Sequence, residues 1–343
     1  MARHSIKLSI DGGPEPHFRM IDVGPKRPTR RCAIAVGKIS MGQEAYARVK
    51  SGNLPKGNAL SLAEISGISG AKAASSLIPM CHPLPLDQVS VYCVPDDNEK
   101  CVTVYCQAIA FAKTGVEMEA LSGVNMALLT IWDLTKGIDP VLQISDVHLL
   151  LKTGGKSGVW IHPKGLPDWL ESQIPSQKSL SNRKVCVLVM SDRASSGDYE
   201  DKSGKILAES LEQAGATIGS YQVIPDEFDE IGEAIKEICN KDQPDLLLAS
   251  GGTGPGPRDV TPDVLGKICD KILDGLGDYL RAESQYFTDT AWLSRMTAGM
   301  IGQTLIIALP GSPKAVQECW EILHSFIGDA LEKISKQGFS QKG

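Results

Sequence analysis

The chain has 343 residues, with 35 Lys and Arg against 41 Asp and Glu, a formal net charge of −6 and 42% apolar residues. That length exceeds one ordinary core and suits two domains, and the composition is that of a soluble globular protein, which excludes disordered and fibrous classes. No apolar run approaches the roughly 20 residues that cross a bilayer, and the opening MARHSIKLSI lacks a signal-peptide apolar centre, so no membrane partner and a cytoplasmic location are expected.

In chain order, the spacing predicts a helix over 59–77 that stops before Pro79. Two β-rich runs follow, 89–94 and 101–111, joined by the turn-like PDDNEK, and then a mostly apolar helix over 116–137. Helices on one face of an antiparallel sheet are the expected α+β architecture. Polar candidates punctuate these elements. Lys56 precedes Gly57 at a helix entry, and His82 sits between Cys81 and Pro83. Glu117 and Glu119 stand at a helix start, where the dipole favours acids in any case. Asp133 and Lys136 are three apart and share a helix face. Because that helix is mostly apolar, the pair is expected away from open solvent. Each residue alone is ordinary.

Residues 161–183 are rich in Pro, Ser and Gln and read as a linker between domain 1–160 and domain 184–343, with Trp169 and Leu170 able to dock on one of them. The halves differ in charge: residues 1–160 carry 17 Lys and Arg against 14 Asp and Glu, the remainder 18 against 27. Neither half has a basic block interleaved with aromatics, which argues against a nucleic-acid partner. Nine scattered cysteines without C-x-x-C spacing argue against disulfides and zinc.

The second half reads as α/β, with buried parallel strands at Val185–Met190, Leu246–Ala249 and Leu305–Leu309 and a further strand at 221–224. Ligands sit beyond the carboxyl ends of such strands. After the second comes SGGTGPGPRDVTPD, 250–263, whose glycines let backbone N–H groups approach an anion. Thr261 is expected to cap the next helix and Pro262 to open it. No Lys-Ser/Thr pair follows the glycines, so this is not a Walker loop. Arg258, Asp259 and Asp263 lie in the loop, and Asp226 in the separate loop IPDE. Such carboxylates beside a phosphate loop suit a hydrated Mg²⁺ on a nucleotide. In LPGSPKAV, 309–316, Ser312 can cap and Lys314 can reach a phosphate.

At these residues both halves come to resemble known families. SDRASSGDYEDKSG (191–204), IPDE (224–227), SGGTGPGPRDVTPD and LPGSPKAV resemble, in order, the molybdopterin adenylyltransferase family across 184–335. The resemblance implies an α/β Rossmann-like three-layer domain that binds Mg-ATP and molybdopterin and transfers AMP to the pterin phosphate. It implies catalytic and Mg²⁺-holding roles for Asp226 and Asp259. Substrate contacts are implied at Ser191 and Asp192, at Gly251, Gly252, Thr253, Gly254 and Asp263, and at Pro310, Gly311, Ser312 and Lys314.

MIDVG, KGN, IPMCHPL, KTGVEMEAL, TIWDLTK and GGKSG, across 18–160, resemble the cyclic pyranopterin monophosphate synthase family. This implies a ferredoxin-like fold, oligomers with sites at subunit interfaces, and conversion of 3′,8-cyclo-7,8-dihydroguanosine triphosphate to cyclic pyranopterin monophosphate and pyrophosphate. No cofactor is implied for this half. The family's catalytic aspartate and lysine fall on Asp133 and Lys136, its site lysine on Lys56 and its histidine on His82. Met80, Cys81, Glu117, Met118 and Glu119 fall on substrate-contacting stretches, with Arg31 and Lys152 or Lys156 completing a phosphate site. Two departures stand out: Asn58 where an acid often follows the KG pair, and Leu134–Thr135–Lys136–Gly137 where the family commonly reads M-C-K-A.

The chemistry suits these residues. Ring rearrangement needs proton movement, hence Asp133 with Lys136, and expulsion of pyrophosphate needs cations such as Lys56, Arg31 and His82. Adenylylation needs positioning and charge neutralisation. Two readings of the second half stay open: an active adenylyltransferase, or chiefly a molybdopterin-binding or scaffolding module, against which the presence of Asp226 and Asp259 argues. Since the resemblances imply hexamers and trimers, a homo-oligomer with three-fold symmetry is expected, with other molybdenum cofactor biosynthesis proteins as further partners. The two steps are separated by sulfur insertion, so the fusion implies shared assembly rather than handed-over product.

Overall fold

The computed structural model describes residues 18–155, 158–174 and 179–340. The chain forms two compact units that divide after Pro175.

In the first unit, β1 (Thr29–Ser40), β2 (Gln88–Asp96), β3 (Cys101–Ala112), β4 (Gln143–Thr153) and β5 (Val159–Ile161) build one antiparallel sheet in the order β2-β3-β1-β4-β5. Alternation along β1 decides its faces. Ala33 and Ala35 point into the main core, while Ile34 and Val36 point to the opposite face. Helices Ala59–Lys72 and Glu117–Thr135 pack on the main-core face and on each other. The expected 59–77 helix ends at Lys72; a separate turn, Ala74–Leu77, follows Ala73. Asn58 caps the first helix, its side chain accepting the N–H of Leu60 (3.0 Å) and Ser61 (3.1 Å). An acid is not needed there, which gives the Asn58 departure a structural role.

The two helices meet at small residues. A Cβ on Gly123 would run into the Cys106 sulfur and the Gly67 carbonyl, and one on Gly70 into Met126 and the Ser122 carbonyl. The opposite sheet face is partly covered by the chain's own continuation. Leu170 is buried with Leu166 and Ile174 beside it, and Trp169 meets Tyr105 edge-on at 5.4 Å. Further along the 161–183 stretch, Leu180 is fully buried in the second unit's core.

In the second unit, β6 (Lys184–Met190), β7 (Thr217–Ile224), β8 (Leu246–Ser250) and β11 (Thr304–Leu309) run parallel. With β9 (Lys271–Ile272) and β10 (Thr297–Ile301), which are antiparallel additions, the order is β7-β6-β8-β11-β10-β9. Each central strand is apolar on both faces, since helices cover both. Val187 and Leu248 pack toward Leu207 and Val316, while Leu188 and Leu247 pack toward Ile231 and Leu265. The chain runs outward one way from β6 to β7 and the other way from β8 to β11, so a crevice opens between the carboxyl ends of β6 and β8. All nine cysteines carry free thiols.

Gly123→Ala should lower the stability of the first unit by about 1–3 kcal/mol through overpacking. Gly137→Ala, whose new methyl group has nothing within 4 Å, should change it by less than about 0.5 kcal/mol. Urea unfolding of both variants measures the difference.

Candidate functional site

The crevice of the second unit is a cleft of about 740 Å³, walled by the segments after β6, β8 and β11. Its floor is the glycine loop. Gly251 (φ +121°) and Gly252 (φ +61°) adopt backbone angles that disfavour a Cβ. A side chain on Gly251 would strike the Met190 carbonyl, and one on Gly252 the Thr261 hydroxyl. Thr261 is not the expected N-cap. It is the first helical residue, fully buried, and its hydroxyl donates to the Gly251 carbonyl (3.0 Å). Burial forces that hydroxyl to find a partner, and the loop backbone is the nearest one. Other donors pin the rim: Ser203 to the Gly311 carbonyl (2.6 Å) and Ser250 to the Pro310 carbonyl (3.0 Å). Ser312 caps the following helix as expected, accepting the Ala315 N–H (3.3 Å).

Acidic groups gather on one side of the cleft. The Asp226 N–H donates to Asp192 Oδ1 (3.0 Å), and the Asp192 N–H donates back to Asp226 Oδ2 (3.3 Å). Asp259 Oδ2 accepts the Gly256 N–H (2.9 Å), which folds its carboxylate back under the loop. Burial, and then the neighbouring Asp192 and Asp259 charges, hold the Asp226 carboxyl above the usual aspartate range. Arg258 bridges Asp192 Oδ2 (2.8 Å) and Glu227 Oε1 (3.0 Å). Among the described residues, only Asp96, Glu99 and Cys101 form a trio of His, Cys, Asp or Glu with all donor atoms within 4.8 Å. Asp192, Asp226 and Asp259 are therefore no preassembled cage. They fit Mg²⁺, which takes one or two carboxylates and completes its shell with phosphate oxygens and water.

Ser191, Asp192, Asp226, Gly251, Gly252, Thr253, Gly254, Asp259, Pro310, Gly311 and Ser312 all border the cleft. Asp263 and Lys314 do not. Asp263 is paired with Arg295, and the Lys314 side chain is 81% exposed, 3.7 Å from Glu318. Lys314 is on the first turn of a helix whose cleft-facing residues are Pro313, Ala315, Glu318 and Cys319. Sequence reasoning missed Arg295. It donates to the Asp259 carbonyl (3.2 Å) and its N–H to the Thr253 carbonyl (2.7 Å), thus holding the glycine loop from 36 residues away. No local pattern announces such a contact.

In the first unit the polar residues form two groups. At the carboxyl end of helix Glu117–Thr135, Asp133 lies between two ammonium groups, Lys136 Nζ at 2.7 Å and Lys56 Nζ at 3.0 Å. Lys136 and then Lys56 hold the Asp133 carboxyl below the usual range. This group is exposed, its side chains 53–60% accessible, contrary to the expected shelter. The helix's apolar face is spent on the sheet, and Asp133 lies where the last turn emerges from it.

The other group surrounds the amino end of the same helix. Lys152 pairs with Glu117 (3.0 Å), and the Cys81 thiol donates to Glu119 (3.6 Å). Glu119 is 3% exposed, and burial raises its pKa; burial and Glu119 push the Cys81 thiol up to about 11. Met80 and Met118 are exposed beside them. His82 Nε2 meets the Ile21 carbonyl (2.9 Å), and Lys113, which sequence reasoning passed over, donates to the Gly24 carbonyl (2.6 Å). Arg31 donates to the Ala112 carbonyl (3.3 Å); a Cβ on Gly155 (φ +71°) would occupy its guanidinium's place. Lys156 lies outside the described residues. Glu119 and Asp133 are 14 positions apart on one helix, about 21 Å at 1.5 Å per residue. A single chain therefore does not bring the two groups onto one small substrate.

Residues 20–155 match the MoaC family, and residues 186–329 match the family described as a probable molybdopterin binding domain. The chain is 39% identical to a molybdenum cofactor biosynthesis bifunctional protein of Synechococcus elongatus, across 91% of this chain and 96% of that one. It is 38% identical to a protein of the same description from Chlorobaculum tepidum, across 93% and 96%. Its first part is 43% identical to a cyclic pyranopterin monophosphate synthase of Chloroflexus aurantiacus, across 43% of this chain and 91% of the relative.

In metal-free protein, Asp226→Asn should be more stable than the wild type at pH 7. The raised carboxyl pKa favours folding only while the group is protonated, and that contribution is lost as pH rises above the ordinary value of 3.8. The gain should shrink toward zero as pH falls to that value. Calorimetric melting in a chelator between pH 4 and 8 measures it.

Proposed function

The chain belongs to the molybdenum cofactor biosynthesis bifunctional proteins, and from that premise we propose how its two halves divide the work. The first converts (8S)-3′,8-cyclo-7,8-dihydroguanosine 5′-triphosphate to cyclic pyranopterin monophosphate and pyrophosphate. The second adenylylates molybdopterin with Mg-ATP. We read the first unit as ferredoxin-like, supported by its β1-helix-β2-β3-helix-β4 order with β1 and β3 central. We read the second as Rossmann-like, supported by its parallel centre and two helical layers.

The observation that carries the second activity is the cleft itself: a glycine loop pinned from behind and three carboxylates at the ends of parallel strands. The loop amides suit the polyphosphate, and Asp226 and Asp259 would hold Mg²⁺, which supplies charge neutralisation at the phosphates when bound. Attack of a pterin phosphate oxygen on the α-phosphorus of ATP expels pyrophosphate, a reaction that needs positioning more than covalent help. A module that only binds molybdopterin would not need a carboxylate held half-buried beside two others, so the enzymatic reading is the better supported.

In the first half, Asp133 is kept ionised by Lys136 and Lys56 and serves as the proton acceptor, with the two lysines as donors. Lys152, Arg31, His82 and Lys113 face the triphosphate. The roughly 21 Å between the two groups supports a site completed by a second copy of the chain, one protomer offering Asp133 and the other Glu119. Ile65 and Leu129, 62% and 54% exposed on the packed helices, supply apolar surface for such contact. A homo-oligomer with three-fold symmetry satisfies both halves, and cytoplasmic work beside other cofactor-building proteins follows from this reading.

Purified protein should release pyrophosphate both from the cyclo-GTP derivative and from molybdopterin with Mg-ATP. Asp133→Asn should lower the first rate at least 100-fold and leave the second intact, and Asp259→Asn should do the reverse. Absence of either basal release would sink that half of the reading. Mixing and reassembling Asp133→Asn with Glu119→Gln subunits, each inactive alone, should restore part of the synthase rate. A rate that stays at zero would place the whole site within one chain.

A further inference from the structure

We propose that Arg258 is an exchangeable counter-cation: it holds Asp192 at the cleft and Glu227 beside it before metal enters, then gives them up and turns onto the polyphosphate. The inference rests on the Mg-ATP reading above. Arg258 belongs to the glycine loop after β8, next to Asp259. Yet its guanidinium is bound to groups on two other loops, Asp192 after β6 (2.8 Å to Oδ2, 3.0 Å to Oδ1) and Glu227 after β7 (3.0 Å). One side chain thereby ties together the segments that follow three different strands. Asp192 in turn exchanges backbone hydrogen bonds with Asp226, so Arg258 touches the carboxylate pair through one of its members.

The bonds are suited to exchange. The Arg258 side chain is 59% exposed, and its partners are 47% and 56% exposed. Exposed ion pairs of this kind are weak and easily exchanged. A divalent ion held by Asp226 and Asp259 would bring twice the charge of a guanidinium next to Asp192, which is hydrogen-bonded to Asp226, so the two cations compete for one acidic group. Once released, Arg258 has a new partner in reach, because it borders the cleft that the glycine loop floors. A planar guanidinium with several N–H donors binds phosphate oxygens bidentately, which an ammonium cannot do. The other arginine of this loop system, Arg295, is committed to Asp263 and to the loop carbonyls, so it is not the mobile cation.

The test separates exchange from a structural role because the two expected effects have opposite signs. Mn²⁺, counted by electron paramagnetic resonance, stands in for Mg²⁺ on the full chain, and α,β-methylene-ATP is the nucleotide probe. Arg258→Ala should bind Mn²⁺ about 3–10-fold more tightly without nucleotide, as a competitor is gone. It should bind the analogue with saturating Mg²⁺ about tenfold more weakly. Arg258→Lys should recover less than half of the nucleotide loss on a free-energy scale. Weakening of both affinities would mark a structural tie and overturn the inference, as would unchanged Mn²⁺ binding. If the wild type binds neither Mn²⁺ nor the metal-loaded analogue, the adenylylation reading fails together with it.

Discussion

Backbone approaching closer than a Cβ allows is the constraint on which both units depend. In the first, Gly67, Gly70 and Gly123 let two helices touch main chain to main chain, so that one of them lies flat on the sheet and presents polar groups at its two ends. In the second, Gly251 passes against the Met190 carbonyl and Gly311 against Gly251, so that the ends of β6, β8 and β11 close into one rim. The cleft exists because three strand ends are drawn together where side chains would hold them apart. The buried Thr261 hydroxyl then fixes the loop's path from below and Arg295 fixes it from the side.

The same constraint explains why the first site is divided. A helix held rigidly along the sheet keeps its two ends about 21 Å apart, and no side chain spans that distance. Asp133 with its two lysines, and the buried Glu119 with Cys81, are each well formed locally. They differ in kind. One is an exposed carboxylate surrounded by cations, the other a sheltered carboxyl whose pKa burial raises. An acid and a base with opposed environments are what proton-moving chemistry requires, and in the proposed oligomer a second copy of the chain would bring them face to face.

Much of this was legible in the sequence. Continuous apolar runs gave β6, β8 and β11 within a residue or two, because strands buried on both faces leave no polar position to confuse the reading. The glycine loop and the Ser312 cap were equally local. What stayed hidden was of long range. Thr261 read as a cap from its neighbours alone, but the burial that turns its hydroxyl toward Gly251 is set by the loop's return path. Arg295, Lys113 and the Arg258 bridge depend on chain segments 31 to 89 residues away, and sequence spacing carries no record of them. Lys314 shows the converse: its place at a helix start was right, yet its side chain leaves on the solvent side.

The uneven charge of the halves now has a chemical basis. Both reactions release pyrophosphate, so both sites must stabilise several negative charges as they develop. On the proposed reading the first half would meet them with side chains such as Lys56, Lys152, Arg31 and His82, and residues 1–160 carry 17 Lys and Arg against 14 Asp and Glu. The second half would meet them with backbone amides, while its cleft is bordered by the carboxylates of Asp192, Asp226 and Asp259 and by the cations Arg258 and Lys202. Carboxylates beside a polyphosphate would repel it unless a divalent cation stood between them. On the proposed reading, Mg²⁺ held by Asp226 and Asp259 would stand between those carboxylates and the polyphosphate.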